Sequence, residues 1–297
     1  MSKFEEYDLY ARNKDFLVSE RILTFTDVNG KLMALKPDVT LSIVRHVRQP
    51  HGEGGSIQPG VVQKIFYDEN VYRVPRRAGG HGPLSGGAFR EIPQVGLECL
   101  GDVDRYCVCE VLSLAAESLR LVAAPPLAGE PRACVLDISH LGVLSAVLEG
   151  VPQASRQALL HCIAGKNVHE LARLCGEAGV PEERAGLLKA LIELYGRPAD
   201  VLPGLRRSLE ASRLQPEGAD NLALACLEEL ERVVDALGDE PMLRVDLSAV
   251  SDLSYYNGIV FRGFIEGVPE SVLSGGQYDR LMERMGRGGA RAIGFAV

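Results

Sequence analysis

No run of lysines and arginines stands anywhere in the 297 residues, and 40 acidic side chains against 32 basic ones leave a formal charge of -8. That balance argues against a surface built to neutralise many phosphates, so nucleic acid is a poor partner. No apolar run approaches the roughly 20 residues that cross a bilayer. The opening MSKFEEYDLYARNKD has no apolar core of the kind a signal peptide needs, and a cytoplasmic protein is expected. The seven cysteines are odd in number and scattered through apolar stretches, which argues for reduced, buried thiols and against a disulfide framework. Cys107 and Cys109 stand too close for a zinc knuckle, and the six histidines show no ligand spacing beside them. Neither a metal nor a cofactor is expected.

What the chain does hold is 46% hydrophobic residues, ample for a main domain with an insertion or a second small domain. After an acidic, aromatic edge at Phe4 to Tyr10, Arg21 to Asp27 reads as a strand. It ends at the turn Val28-Asn29-Gly30-Lys31 and pairs back through Leu32 to Leu35. Pro37 stops that strand, and Leu41 to Arg48 has helical spacing with Asp38 or Thr40 as its cap. Asp38 has two readings, a helix cap or a carboxylate at a pocket edge that holds an ammonium group.

Val61 to Tyr67 continues through Asn70 to Arg73 as strand and leads to a glycine-rich loop at 75–87. Its Arg76, Arg77 and His81 suit either a phosphate clamp or a merely flexible segment. In Phe89 to Leu100, alternation sends Gln94, Gly96 and Glu98 to one face and Val95, Leu97 and Cys99 to the other. Polar side chains around a glycine make a pocket floor or a solvated sheet face.

Val108 to Val122 has the spacing of a long helix, broken at Pro125-Pro126 before a strand at Ala133 to Ile138 and a helix at Ser139 to Leu148. From Pro152 to about Leu237 four amphipathic segments follow: SRQALLHCI, VHELARLCGEAG, ERAGLLKALIELYG and NLALACLEELERVVDALG. Their charged faces read as solvated surface, and the segments look inserted between strands. Met242 to Leu247 returns to strand. The stretch Leu253 to Tyr278 then sets Tyr255-Tyr256 beside the turn-forming Asn257-Gly258, a strand at Ile259 to Phe264, and Ser274-Gly275-Gly276, read as a turn with exposed N–H groups. This is a plain hairpin or the wall of a polar pocket. Tyr278 to Met285 reads as helix and Ala292 to Val297 as strand.

The ordered motifs VNGKLMALKPDVT, QKIFYDENVYR, FREIPQVGLECLG, LSYYNGIVFRG, SGGQYDRL and AIGFAV resemble the histidyl-tRNA synthetase catalytic domain. They resemble still more its non-catalytic paralogue, the regulatory subunit of ATP phosphoribosyltransferase in histidine biosynthesis. The resemblance implies an α+β fold, a class II aminoacyl-tRNA synthetase-like antiparallel sheet flanked by helices, with a core at 1–148 and 241–297 and a helical insertion at 149–240. It implies a histidine site: Asp38 near the substrate amine, Arg73 as the arginine of the second class motif, Gln94 and Glu98 lining the site. Tyr255 and Tyr256 would close over the imidazole, and Gly275 and Gly276 would complete the wall.

The departures bear on catalysis. Where the synthetase has an arginine four residues before the first tyrosine, this chain has Ser251. Pro75 replaces a glutamate after the second-motif arginine, and Ile92 stands where an aromatic ring would stack on adenine. The chain is expected to begin within the first class motif, to stop short of the arginine of the third, and to lack the anticodon-binding domain. Removing one transition-state charge commonly costs about 10²- to 10³-fold, and here several ATP-handling groups differ together. The expected function is that of a non-catalytic subunit that activates the short catalytic ATP phosphoribosyltransferase subunit and carries histidine feedback. It would form a homodimer within a hetero-oligomer. The alternatives are a catalytic histidyl-tRNA synthetase domain and a stand-alone histidine sensor.

Overall fold

A computed structural model describes residues 2–14, 22–47, 60–73, 90–124, 129–212, 219–250 and 255–297. The basic loop with Arg76, Arg77 and His81 lies outside the described residues, as do Pro75, Pro125-Pro126 and Ser251. Strand β1 (Phe4–Glu6) runs directly into α1 (Tyr7–Arg12). The hairpin expected around Asn29-Gly30 joins β2 (Thr24–Thr26) to β3 (Leu32–Leu35). The Asp27 carboxylate accepts the N–H groups of Asn29 and Lys31, each at 2.8 Å, and Gly30 takes the φ of +79° that the turn requires. These strands form a small antiparallel sheet in the order β1-β3-β2.

Helix α2 (Thr40–His46) follows Pro37, and the long strands β4 (Val62–Arg73) and β5 (Arg90–Gly101) then pair along their whole length. Helix α3 (Arg105–Ala123) begins where the Asp104 carboxylate accepts the Cys107 N–H at 2.9 Å, a cap worth about 1 kcal/mol. Its buried Val108, Val111, Leu112, Ala115 and Leu119 recur every three or four residues and lie on the sheet.

After β6 (Cys134–His140) come α4 (Leu141–Leu148), α5 (Gln153–Ala164), α6 (Val168–Glu177) and α7 (Glu182–Glu193). Next are β7 (Tyr195–Gly196), α8 (Pro198–Ala211), α9 (Ala219–Leu237) and β8 (Leu243–Asp246). Two of these escape the sequence reading. In α8 the pattern is masked by two prolines, yet Pro198 occupies the first turn, where no N–H is needed, and only Pro203 interrupts the ladder. The two residues of β7 are too short for any periodicity, and they tie the helical stretch to the sheet through Tyr195↔Asp246.

The chain closes with β9 (Ile259–Ile265), β10 (Leu273–Gln277), α10 (Asp279–Arg284) and β11 (Arg291–Ala296). Ser274-Gly275-Gly276 is therefore not a turn. It is the middle of β10, bonded to β9 on one side and β11 on the other. Asn257-Gly258 makes no hairpin turn either: Asn257 exchanges hydrogen bonds with Asp279, at 2.8 and 3.1 Å, and fastens the entry of β9 to α10.

The main sheet has the order β4-β5-β11-β10-β9-β6-β8-β7, antiparallel throughout except for the parallel pair β6–β8. One buried apolar cluster covers a face of it, from Cys99, Phe261 and Ile293 through Leu112 and Leu119 to Leu188, Leu205 and Leu230. The helices of 153–237 thus share a core with the sheet. A second cluster, including Val39, Val44, Leu100, Tyr278 and Leu281, lies on the opposite face under α2 and α10. No described helix is long and apolar enough to cross a membrane.

Candidate functional site

On β5 the strand period sends Gln94, Gly96 and Glu98 to the face of the second cluster. Register places Glu98 opposite Gly294 and Ile65, and Gly96 opposite Ala296 and Tyr67. A Cβ on Gly294 would overlap the Glu98 carboxylate, and one on Gly96 would overlap the Tyr67 phenol. Two missing side chains therefore make room for an acid and a hydroxyl at the sheet surface.

Glu98 is 2% exposed and accepts hydrogen bonds from Thr40 Oγ1 and the Tyr278 hydroxyl, each at 2.6 Å. Burial pushes its carboxyl up to about 8, against those two hydrogen bonds and with the Asp38 carboxylate adding to the rise. Asp38 is also raised, by burial first, which outweighs the nearby Arg73. Asp38 serves the first turn of α2, whose N-cap is Val39, and also stands at the edge of a cavity. Its Oδ1 accepts the Leu41 N–H at 3.3 Å in the first turn of α2, and its Oδ2 faces the cavity 3.8 Å from Arg73 Nη2. Arg73 is itself anchored by donating Nε to the Pro37 carbonyl at 2.7 Å.

Three aromatic rings close the other side. Tyr255 and Tyr256 meet edge to face with centroids 4.5 Å apart, and Tyr278 lies 5.9 Å from Tyr255. Tyr255 is 9% exposed, and burial first, then Asp38, holds its phenol well above the usual range. Among the described residues Gln94 Oε1 is buried with no hydrogen-bond partner.

Asp38, Arg73, Gln94, Glu98, Tyr255 and Tyr256 thus line one cavity. Gly275 and Gly276 do not. The missing side chain of Gly275 opens to the far face, against Phe261 and Phe295, and that of Gly276 is filled by the Tyr256 ring. Ser274 and Gly294 take their place in the lining, with Thr40, Tyr67 and Tyr278. Thr40 entered the sequence reading only as a helix cap. Tyr67 could have been found by continuing the two-residue period along the strand that pairs with Gly96.

The cavity measures about 50 Å³, against roughly 300–1,000 Å³ for most ligand pockets. Its chemistry suits a small cationic or zwitterionic molecule: two buried carboxyls, one guanidinium, an open amide acceptor and several hydroxyls. Among the described residues no group of three histidine, cysteine or acidic side chains could hold a metal.

A family model described as histidyl-tRNA synthetase matches residues 2–297. The chain is 27% identical over 97% of its length to an ATP phosphoribosyltransferase regulatory subunit from Caldanaerobacter subterraneus subsp. tengcongensis, of which it covers 69%. It is 28% identical over 99% of its length to the protein of the same name from Alkaliphilus metalliredigens, covering 68% of it. A crystal structure of an ATP phosphoribosyltransferase regulatory subunit/histidyl-tRNA synthetase from Bacillus halodurans superposes over all of this chain and 70% of that one. The TM-score is 0.76 at 23% identity. The match in fold confirms the class II synthetase-like sheet expected from the motifs.

Proposed function

The chain belongs to the histidyl-tRNA synthetase family, and from that premise we propose that it is the regulatory subunit of an ATP phosphoribosyltransferase in histidine biosynthesis, binding histidine in the cavity between β5 and Tyr255-Tyr256. The two relatives described above carry that name. The observation that carries the reading is a buried polar pocket in a chain whose ATP-handling positions differ from those of the synthetase. Ile92 stands on the same face of β5, two residues from Gln94 and 37% exposed, with no ring to stack on adenine. Pro75 and Ser251 are the other two altered positions.

Histidine at neutral pH carries an ammonium, a carboxylate and an imidazole that titrates near 6.5. The ammonium goes to Asp38, the carboxylate to Arg73, and the imidazole to Glu98 under the tyrosine pair. A charge-assisted hydrogen bond to a desolvated carboxylate is the stronger kind, which favours both cationic contacts. The subunit performs no adenylation in this reading. It binds the short catalytic subunit as a homodimer within a hetero-oligomer, with the 149–240 segment as an insertion in the synthetase-like core. Feedback requires histidine to bind two states of that assembly unequally, because equal affinity shifts no equilibrium.

Calorimetry with histidine, followed by assay of a short-form catalytic subunit with and without this protein, tests the reading. Activation that histidine reverses is the expected result; no complex and no activation would overturn it. Histidine-dependent pyrophosphate exchange would instead identify a working synthetase domain.

A further inference from the structure

Four strands away on the same face lies a second enclosed cavity that shares no lining residue with the first. Register aligns Gly96, Ala296, Ser274, Arg262 and Asp137 across β5, β11, β10, β9 and β6. Four steps of sheet put Asp137 roughly 19 Å from Gly96. The cavity measures about 130 Å³ and is walled by β6, β8, β9 and the turn between α5 and α6. Its charged lining is Asp137, Asp246, Lys166 and Arg262, two groups of each sign, with Ser248 beside them and Val260 and Phe264 as apolar surface.

The two acids are served differently. Asp246 is satisfied: Lys166 Nζ lies 3.0 Å from its Oδ2, and its Oδ1 accepts from the N–H and hydroxyl of Ser248 at 3.0 and 2.5 Å. Asp137 Oδ1 is buried and has no hydrogen-bond partner among the described residues. Burial first, then Asp246, pushes its carboxyl up to about 6, against the Tyr195 hydroxyl, Lys166 and Arg244. A buried acceptor without a donor costs free energy, which a donor entering the cavity would recover.

The turn that brings Lys166 here is also unusual. Lys166 has φ +51°, at a helix end where glycine is the easy residue. Its side chain holds that position, with the ammonium ion-paired to Asp246 and 4.8 Å from the Tyr195 ring centroid.

We propose that this cavity is a second binding site, for a small zwitterionic amino acid whose ammonium donates to Asp137 Oδ1 and whose carboxylate faces Lys166 and Arg262. The balanced lining favours a molecule with one charge of each sign over a simple cation or anion. The volume, about that of four waters at roughly 30 Å³ each, suits an amino acid the size of glycine, alanine or serine. The site is independent of the histidine pocket and stands or falls separately.

The test uses the full chain, with glycine, L-alanine and L-serine as probes and methylammonium and acetate as single-charge controls. Calorimetry should show one of the amino acids binding, with the controls weaker by roughly tenfold or more, since each gives up a charge-assisted hydrogen bond. Asp137→Asn should weaken that binding by roughly tenfold, and Lys166→Met should weaken it as well. In the unaltered protein, the bound probe should move the backbone amide resonances of Ser139, Lys166 and Ser248. The proposal is overturned if no amino acid binds at millimolar concentration, the cavity then holding water only. Binding that Asp137→Asn leaves unchanged, or resonance shifts confined to other parts of the chain, would overturn it equally.

Discussion

The Tyr278 hydroxyl donates to Glu98 Oε2 at 2.6 Å, joining two residues 180 positions apart in the chain, both of them buried. Thr40 completes the arrangement from a third element at the same distance from Oε1. Burial outweighs these two hydroxyls and pushes the Glu98 carboxyl up to about 8.

Stability should therefore fall as pH rises from about 4.5 to about 8. Across that window the folded chain keeps a proton on Glu98 that the unfolded chain releases, so rising pH favours unfolding. Asp38, raised for the same reason, acts in the same direction. Glu98→Gln should flatten the slope, measured as denaturant midpoints at either end of the window. Equal slopes in both proteins would show that Glu98 ionises freely.

Histidine affinity should rise with pH up to about 6.5, where the bound imidazolium displaces the Glu98 proton into solvent, and level off from there to about 8, where the neutral imidazole takes that proton itself. Calorimetry in two buffers of different ionisation enthalpy would detect the released proton. Proton uptake would place the imidazole elsewhere.

Replacing Tyr255 by alanine removes a ring that contacts both Tyr256 and Tyr278. The loss of contact is worth about 1–3 kcal/mol, so histidine should bind roughly tenfold or more weakly. Unchanged affinity would return the tyrosine to a purely structural role.

Gly294→Ala drives a Cβ into the Glu98 carboxylate and the Leu97 carbonyl. It should abolish histidine binding and cost about 1–3 kcal/mol of stability through overpacking. Gly288→Ala, with nothing within 4 Å of the new atom, is the matched control and should change neither.

With nine tyrosines and no tryptophan, the emission of the chain is tyrosine emission. Tyr255 and Tyr256 line a cavity of only about 50 Å³, and if they shift to admit histidine, titration should change that emission saturably. Calorimetric binding with constant emission would mean that the ligand enters without moving them.

Much of this architecture is written in local pattern. Alternation along 89–100 is enough to set Gln94, Gly96 and Glu98 on one face, because a strand has a period of two whatever its neighbours are. The turn at Asn29-Gly30 and the helix at 105–123 follow equally from turn chemistry and from 3.6-residue spacing. Local pattern also misleads where neighbours decide. Ser274-Gly275-Gly276 carries a strong turn signal, yet β9 and β11 bond it on both sides, and there the glycines serve close packing against Phe261 and Tyr256. The prolines of α8 read as breakers although one of them occupies the harmless first turn.

The sequence by itself determined which polar groups exist and toward which face of their own strand or helix each one points. Only the tertiary structure decided that Glu98 meets Thr40 and Tyr278, that Asp38 serves the first turn of a helix and lines a cavity at once, and that Asp137 has an oxygen with no partner among the described residues. The physical reason is that periodicity reports one element at a time, whereas burial and hydrogen-bond satisfaction depend on what other elements bring to the same place.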